Sequence, residues 1–104
     1  MKRRVRWTEP AESDFLTILA TVAAENPAAA AAIADRIETA VAHLGELAVG
    51  RPGRVVGTFE LVLPPLPYIV AYALIPQPDG SEGVDVLRVI HAKRNWTAKG
   101  WPRD

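Results

Sequence analysis

The run His91-Ala92-Lys93-Arg94 is the clearest chemical signal in this 104-residue chain. An imidazole titrates near neutrality and can move protons, while neighbouring cations can stabilise phosphate charge. The same histidine can equally be the hydrogen-bonded end of a strand. Tyr68 and Tyr72 stand four apart and share a side if they lie on one strand. They can stack on bases, or pack in a core with their hydroxyls at the rim. Arg88 interrupts an apolar run. It can pair with a carboxylate, extend its head to water at a sheet edge, or hold an anion. Trp96 and Trp101 flank Lys99 on a basic tail, where they can dock a partner or fold back over the protein as a lid. His43, the other histidine, sits off the apolar stripe of a helix and reads as a surface residue.

The absences narrow the chemistry further. The chain has no Cys, which removes disulfides, thiolate nucleophiles and Cys-ligated zinc. It has no phosphate-cradling glycine loop, no HExxH and no nucleophile elbow. No metal and no cofactor are expected. Lys+Arg is 12 and Asp+Glu is 12, a balance that argues against bulk electrostatic attraction to nucleic acid. The total hides a segregation. Residues 9–48 hold seven acidic residues and a single cation, Arg36, while the rest of the chain holds 11 basic and 5 acidic residues. If residues 9–48 form their own layer, the molecule is electrostatically polar.

The elements that must position these residues follow from periodicity. Val5-Arg6-Trp7 alternates and predicts a short strand with Val5 and Trp7 inward. Thr8-Glu9-Pro10 opens a helix whose stripe is Phe15, Ile18, Leu19 and Val22. Asn26-Pro27 ends it and starts a second, with Ile33, Ile37, Val41, Leu44 and Leu47 on one face. The short break implies an antiparallel hairpin. Gly50-Arg51-Pro52-Gly53 predicts a loop. Phe59 to Leu63 alternates as a strand, Pro64-Pro65-Leu66-Pro67 is a turn, and Tyr68 to Ile75 is a strand covered on both faces. A polar turn around Asp79-Gly80 leads to a last strand, Val84 to His91. Half the residues are hydrophobic (49%), enough for one compact domain over residues 1–104. The expected fold is α+β: an N-terminal strand and a helical hairpin packed on an antiparallel sheet of about four strands, with a short basic C-terminal tail. Because these elements all precede residue 92, the tail from Asn95 to Asp104 is expected to be dispensable for folding. No apolar run reaches the roughly 20 residues of a membrane helix, and the basic start is followed by no apolar stretch. The expected setting is the cytoplasm, with no membrane partner.

In this order and spacing the chain resembles the RelE/ParE superfamily of bacterial type II toxin–antitoxin toxins. The resemblance rests on Val5-Arg6-Trp7-Thr8 leading into Glu12-x-Asp14-Phe15, and on Asn26-Pro27-Ala28-Ala29-Ala30. It continues through Gly50-Arg51-Pro52-Gly53-Arg54-Val55, Gly57-Thr58-x-Glu60-Leu61-Val62 and Pro67-Tyr68-Ile69-Val70-Ala71-Tyr72, and ends with Val86-Leu87-Arg88-Val89-Ile90-His91-x-x-Arg94-x-Trp96. Phe59 departs from it, where many similar relatives carry arginine. RelE-type members cut messenger RNA on the ribosome with strand-borne cations. The resemblance puts those positions at Glu60, Val62 and Ile69, none of them basic, and leaves His91 and Arg94 as the candidate catalytic residues of such a nuclease. ParE-type members inhibit DNA gyrase without hydrolysis, and the chain is similar to that branch. The alternatives are a RelE-like nuclease acting with ribosome and messenger RNA, or a small nucleic-acid-binding module.

On the gyrase-directed reading, the target-binding set is Arg88, Lys93, Arg94, Trp96, Lys99 and Trp101, with Arg51 and Arg54. Arginine and tryptophan dominate interface energies. The resemblance also implies a cognate antitoxin and a toxin–antitoxin hetero-oligomer. The small-residue surface from Ala28 to Ala32 offers a close approach for a partner helix, so Ala29, Ala32 and Arg36 are the expected antitoxin contacts.

Overall fold

The computed structural model describes residues 3–94, 96, 97, 100 and 101. Strand β1 (Arg4–Trp7) runs straight into helix α1 (Glu9–Ala23), and helix α2 (Pro27–His43) follows after a tight break. Each helix starts where its capping chemistry places it. The Thr8 side chain accepts from Ala11 N, the Asn26 side chain accepts from Ala29 N at 3.0 Å, and a proline occupies the first turn of each helix. The second helix stops at His43, so its apolar stripe ends at the buried Leu44, and Leu47 is 65% exposed. The chain turns here because it must pass beside β1. A side chain at Gly45 would lie 3.0 Å from the Arg3 carbonyl.

Four further strands complete the sheet: β2 (Arg51–Pro52), β3 (Phe59–Val62), β4 (Tyr68–Pro76) and β5 (Glu82–His91), in the spatial order β1-β5-β4-β3-β2. The meander β3-β4-β5 is antiparallel throughout, as the short turns require. The sheet differs from the expected one in two respects. It has five strands, because Arg51-Pro52 is not a free loop but pairs with Phe59 and Glu60. It is also not wholly antiparallel, because β1 lies parallel to β5. That direction lets Thr8 N donate to Val86 O at 3.0 Å, so α1 departs from the middle of β5 and crosses back over the sheet.

Both helices cover one face of the sheet. The core between them joins Ala11, Ile37 and Val41 to Val70, Val86 and Val89. Val86 and Val89 are three apart, yet both join it. The register passes from Ala71↔Arg88 to Tyr72↔Val86 and leaves Leu87 over, a bulge that turns the strand's end. Tyr72 is also on this face and fully buried, with Leu44 and Val84. Its hydroxyl donates to the Val49 carbonyl at 2.6 Å. This bond ties the segment after α2 to the sheet. Gly50 next to it has φ +141°, and a Cβ there would meet Glu60 O at 2.7 Å, so glycine is required.

Burial pushes the Tyr72 hydroxyl pKa up. The folded state therefore favours the neutral phenol, and its contribution to stability is complete below the ordinary tyrosine value of about 10. Above that value it declines, because the unfolded chain releases the proton first. Urea unfolding followed from pH 8 to pH 11 should show stability falling at the alkaline end, with a shallower slope for Tyr72→Phe. The same substitution should cost about 1 kcal/mol at pH 8, since it orphans the Val49 carbonyl.

Candidate functional site

Two surfaces concentrate the candidate residues. The first is a groove of about 400 Å³ between α1 and the end of β5. Its inner wall is built by Asp14. Arg88 Nε and Nη2 donate to the two oxygens of Asp14 at 2.7 and 3.1 Å, and Val89 N donates to Asp14 Oδ2 at 2.9 Å. Among the described residues no strand lies beside the outer edge of β5 beyond β1, and the Asp14 carboxylate accepts from Val89 N there. Arg88 is thereby paired with a carboxylate, one of the roles open to it from sequence. His91, Arg94, Tyr68 and Thr17 also line the groove.

The turn after β5 fixes the histidine. Lys93 N donates to His91 Nδ1 at 3.1 Å, and Arg94 N donates to the His91 carbonyl at 2.9 Å. Tyr68 meets the imidazole edge-on, with ring centroids 5.7 Å apart. With Nδ1 accepting, the neutral ring carries its proton on Nε2.

The second surface is the sheet face away from the helices, and here the structure departs from a bare binding surface. Ile69, Ile90 and Trp96 form a separate buried cluster against Val55 and Trp101. Trp96 is 7% exposed. Arg54 stacks on its ring, with the guanidinium carbon 3.7 Å from the centroid. Beside it Glu60 is 1% exposed. Glu60 Oε1 accepts from Arg51 Nη2 at 3.1 Å and Oε2 accepts from Arg54 N at 2.7 Å, while Arg54 Nε stands 3.8 Å away. The strand alternation explains the placement. Phe59 and Leu61 pack toward the helices, so Glu60 between them points the other way.

The expected target-binding residues therefore separate. Arg88, Arg94 and His91 meet at the groove, and Lys93 is exposed beside it. Arg51, Arg54 and Trp96 belong to the Glu60 cluster, and Trp101 packs at its margin. Lys99 lies outside the described residues. Ala32 and Arg36 are exposed on α2 and Ala29 is half-buried. Among the described residues no three His, Asp or Glu gather as metal ligands, and no helix is long and apolar enough to cross a membrane.

A family model described as the ParE toxin of the type II toxin–antitoxin system parDE matches residues 5–96. The chain belongs to the ParE toxin family. It is accordingly a type II toxin–antitoxin toxin of the wider ParE/RelE superfamily. A Sinorhizobium fredii protein (strain NBRC 101917 / NGR234) bearing the toxin designation Y4kP is 42% identical over 96 residues, covering 91% of this chain and 94% of that protein. A chain of the chromosomal ParDE system from P. aeruginosa superposes with a TM-score of 0.77 at 22% identity, over 88% of this chain and 98% of that one. A chain of the toxin–antitoxin complex RelBE2 from Mycobacterium tuberculosis gives a TM-score of 0.56 at 27% identity, over 88% and 99%.

One feature of this ParE-family chain escapes a reading of the sequence. Asp14 is recognisable as part of Glu12-x-Asp14-Phe15, but nothing local says that its partners lie 74 and 75 residues on. The burial of Trp96 gives it the lid role, one of the two open to it from sequence, and speaks against a dispensable tail. A large aromatic ring beyond the last strand covers the end of a sheet whose second face would otherwise expose Ile69 and Ile90. Trp96→Ala should cost about 3 kcal/mol in urea unfolding. Deletion of residues 95–104 should lower the melting temperature by at least as much as that substitution.

Proposed function

We propose that this toxin arrests bacterial growth by binding DNA gyrase in the cytoplasm, and that it acts by binding rather than by cutting RNA. The observation that carries this reading is the content of the sheet face away from the helices. A nuclease of this superfamily needs cations where a phosphate lies, and the corresponding positions here are Glu60, Val62 and Ile69. Glu60 is buried with Arg51 and Arg54 already on its oxygens, and Ile69 lies under Trp96. A phosphodiester approaching this face meets the Trp96 indole and two guanidiniums, Arg51 and Arg54, whose charge the buried Glu60 already offsets, which weakens the stabilisation of phosphoryl charge.

The working surface on this reading is the end of β5 and the turn beyond it: Arg88, Lys93 and Arg94, with Trp101 at the margin of the sheet. The antitoxin is proposed to lie across the helical hairpin over Ala29, Ala32 and Arg36, giving a hetero-oligomer in which the free toxin is absent. Small exposed side chains there let a partner helix approach closely.

Expression of the chain without antitoxin should arrest growth with filamentation and DNA damage, and purified chain should inhibit supercoiling by gyrase. His91→Ala should leave messenger RNA intact, as should the unmodified chain. Transcripts cut at codon positions on ribosomes would overturn this reading in favour of the nuclease. Replacing Ala29 and Ala32 together with Gln should weaken antitoxin binding about tenfold by calorimetry while leaving the melting temperature unchanged.

A further inference from the structure

We infer that His91 is a positioning residue for Lys93, an exposed cation of the turn after β5, and that a proton on its imidazole releases the Lys93 backbone. The consequence for a target rests on the gyrase reading above, and the turn itself stands on the geometry.

Three consecutive amides shape this turn, and each has an acceptor. Ala92 N donates to the Pro67 carbonyl at 2.7 Å, Lys93 N to His91 Nδ1 at 3.1 Å and Arg94 N to the His91 carbonyl at 2.9 Å. The two carbonyls accept at every pH. The imidazole accepts only while Nδ1 keeps its lone pair. Protonation turns that atom into a donor and sets it against the Lys93 N–H. The turn then keeps its outer two bonds and loses the middle one. Lys93 is the residue whose backbone, and with it the direction of its side chain, is set free.

The chain builds the same device elsewhere from a carboxylate. Ser81 N donates to Asp79 Oδ1 at 2.9 Å, again two residues along. The Oδ1 of Asp or Asn and the Nδ1 of His stand at the same place, one bond beyond Cγ. His91 thus forms an Asx-type turn with an acceptor that a proton can remove. Tyr68 packs edge-on against the ring from its paired position on β4. The charged groups that share the groove with it are Asp14 from α1, Arg88 from β5 and Arg94 from the turn, and the other α1 residues there are uncharged. Asp14 is the only acid among these described groove residues, and both its oxygens already accept hydrogen bonds. A charged ring stands among cations, with no idle carboxylate to hold it in place of the Lys93 amide. The neutral ring has spent its lone pair on the turn, which suits positioning and not proton transfer.

The test follows the full-length chain by nuclear magnetic resonance from pH 8 to pH 5. At pH 8 the His91 ring should show a bare Nδ1 and a protonated Nε2. As the ring takes up its second proton, the Lys93 amide signal should shift in step with it. In His91→Asn the Lys93 amide should hold one position across the range, because the side-chain oxygen keeps accepting. The unmodified chain should bind purified gyrase about threefold more weakly at pH 6 than at pH 8, measured relative to His91→Asn, which removes any pH dependence of gyrase itself. A ring protonated on Nδ1 at pH 8, a Lys93 amide that stays still while the ring titrates, or a His91→Asn chain with the pH dependence of the unmodified one would each overturn the inference. A chain that binds no gyrase at either pH overturns the gyrase reading alone, since the resonance titration decides the turn without a target.

Discussion

The attachment of α1 to β5 through Asp14 is the constraint on which the rest of the molecule depends. One carboxylate satisfies a bidentate arginine and a backbone amide of the same strand. Half of its work is electrostatic and half is closure of a sheet edge. β1 is only four residues long and ends opposite Val86, so the outer edge of the last stretch of β5 would otherwise lack a partner there, while its other edge pairs with β4. The bulge at Leu87 falls at this point. It switches the inward parity of the strand, so that Val89 rather than Arg88 enters the core. Asp14 therefore fastens the helix to the strand at the wall of the groove.

That arrangement converts a pattern of sequence into a pattern of space. The acidic residues from Glu9 to Glu46 fall in the helical hairpin and its exit, and among the described residues most of the cations fall on the strands and the turn after β5. Asp14 is the acid that crosses the boundary, and Arg88 meets it. The two layers are thus joined by an ion pair drawn from their opposite charges. A partner that spans both layers encounters a change of sign within one helix width.

Much of this was legible in the residues. Helix caps, stripes and the three-strand meander follow from local spacing, because Thr8, Asn26 and the turn prolines act on neighbours. The parallel pairing of β1 was not legible, because its partner lies about eighty residues away and nothing in Val5-Arg6-Trp7 distinguishes one direction from the other. The strand at Arg51-Pro52 was hidden by its proline and flanking glycines, which read as a loop. It forms because Gly50 allows the chain to press against Glu60. The candidate site divided in the same way. His91 and Arg94 are adjacent in the chain and announce themselves. The role of Trp96 depends on a sheet face that only tertiary structure uncovers, and that of Asp14 on a bulge that alternation does not foresee.

A fold does not fix its function, which resides in replaceable side chains, and the sheet face away from the helices shows how much one side chain decides. At Glu60 the backbone is an ordinary strand, and a lysine there would project into the same space. With a carboxylate, the position instead gathers Arg51 and Arg54, and Arg54 then supplies the flat cation on which Trp96 stacks. The acid at one position therefore recruits the cations that a phosphate would have used and brings the tail down over Ile69 and Ile90. Restoring one lysine at Glu60 would not restore a phosphate site, because the indole would still cover it. It would instead set three cations against one another beneath an aromatic ring, and the face would lose its packing before it gained any chemistry.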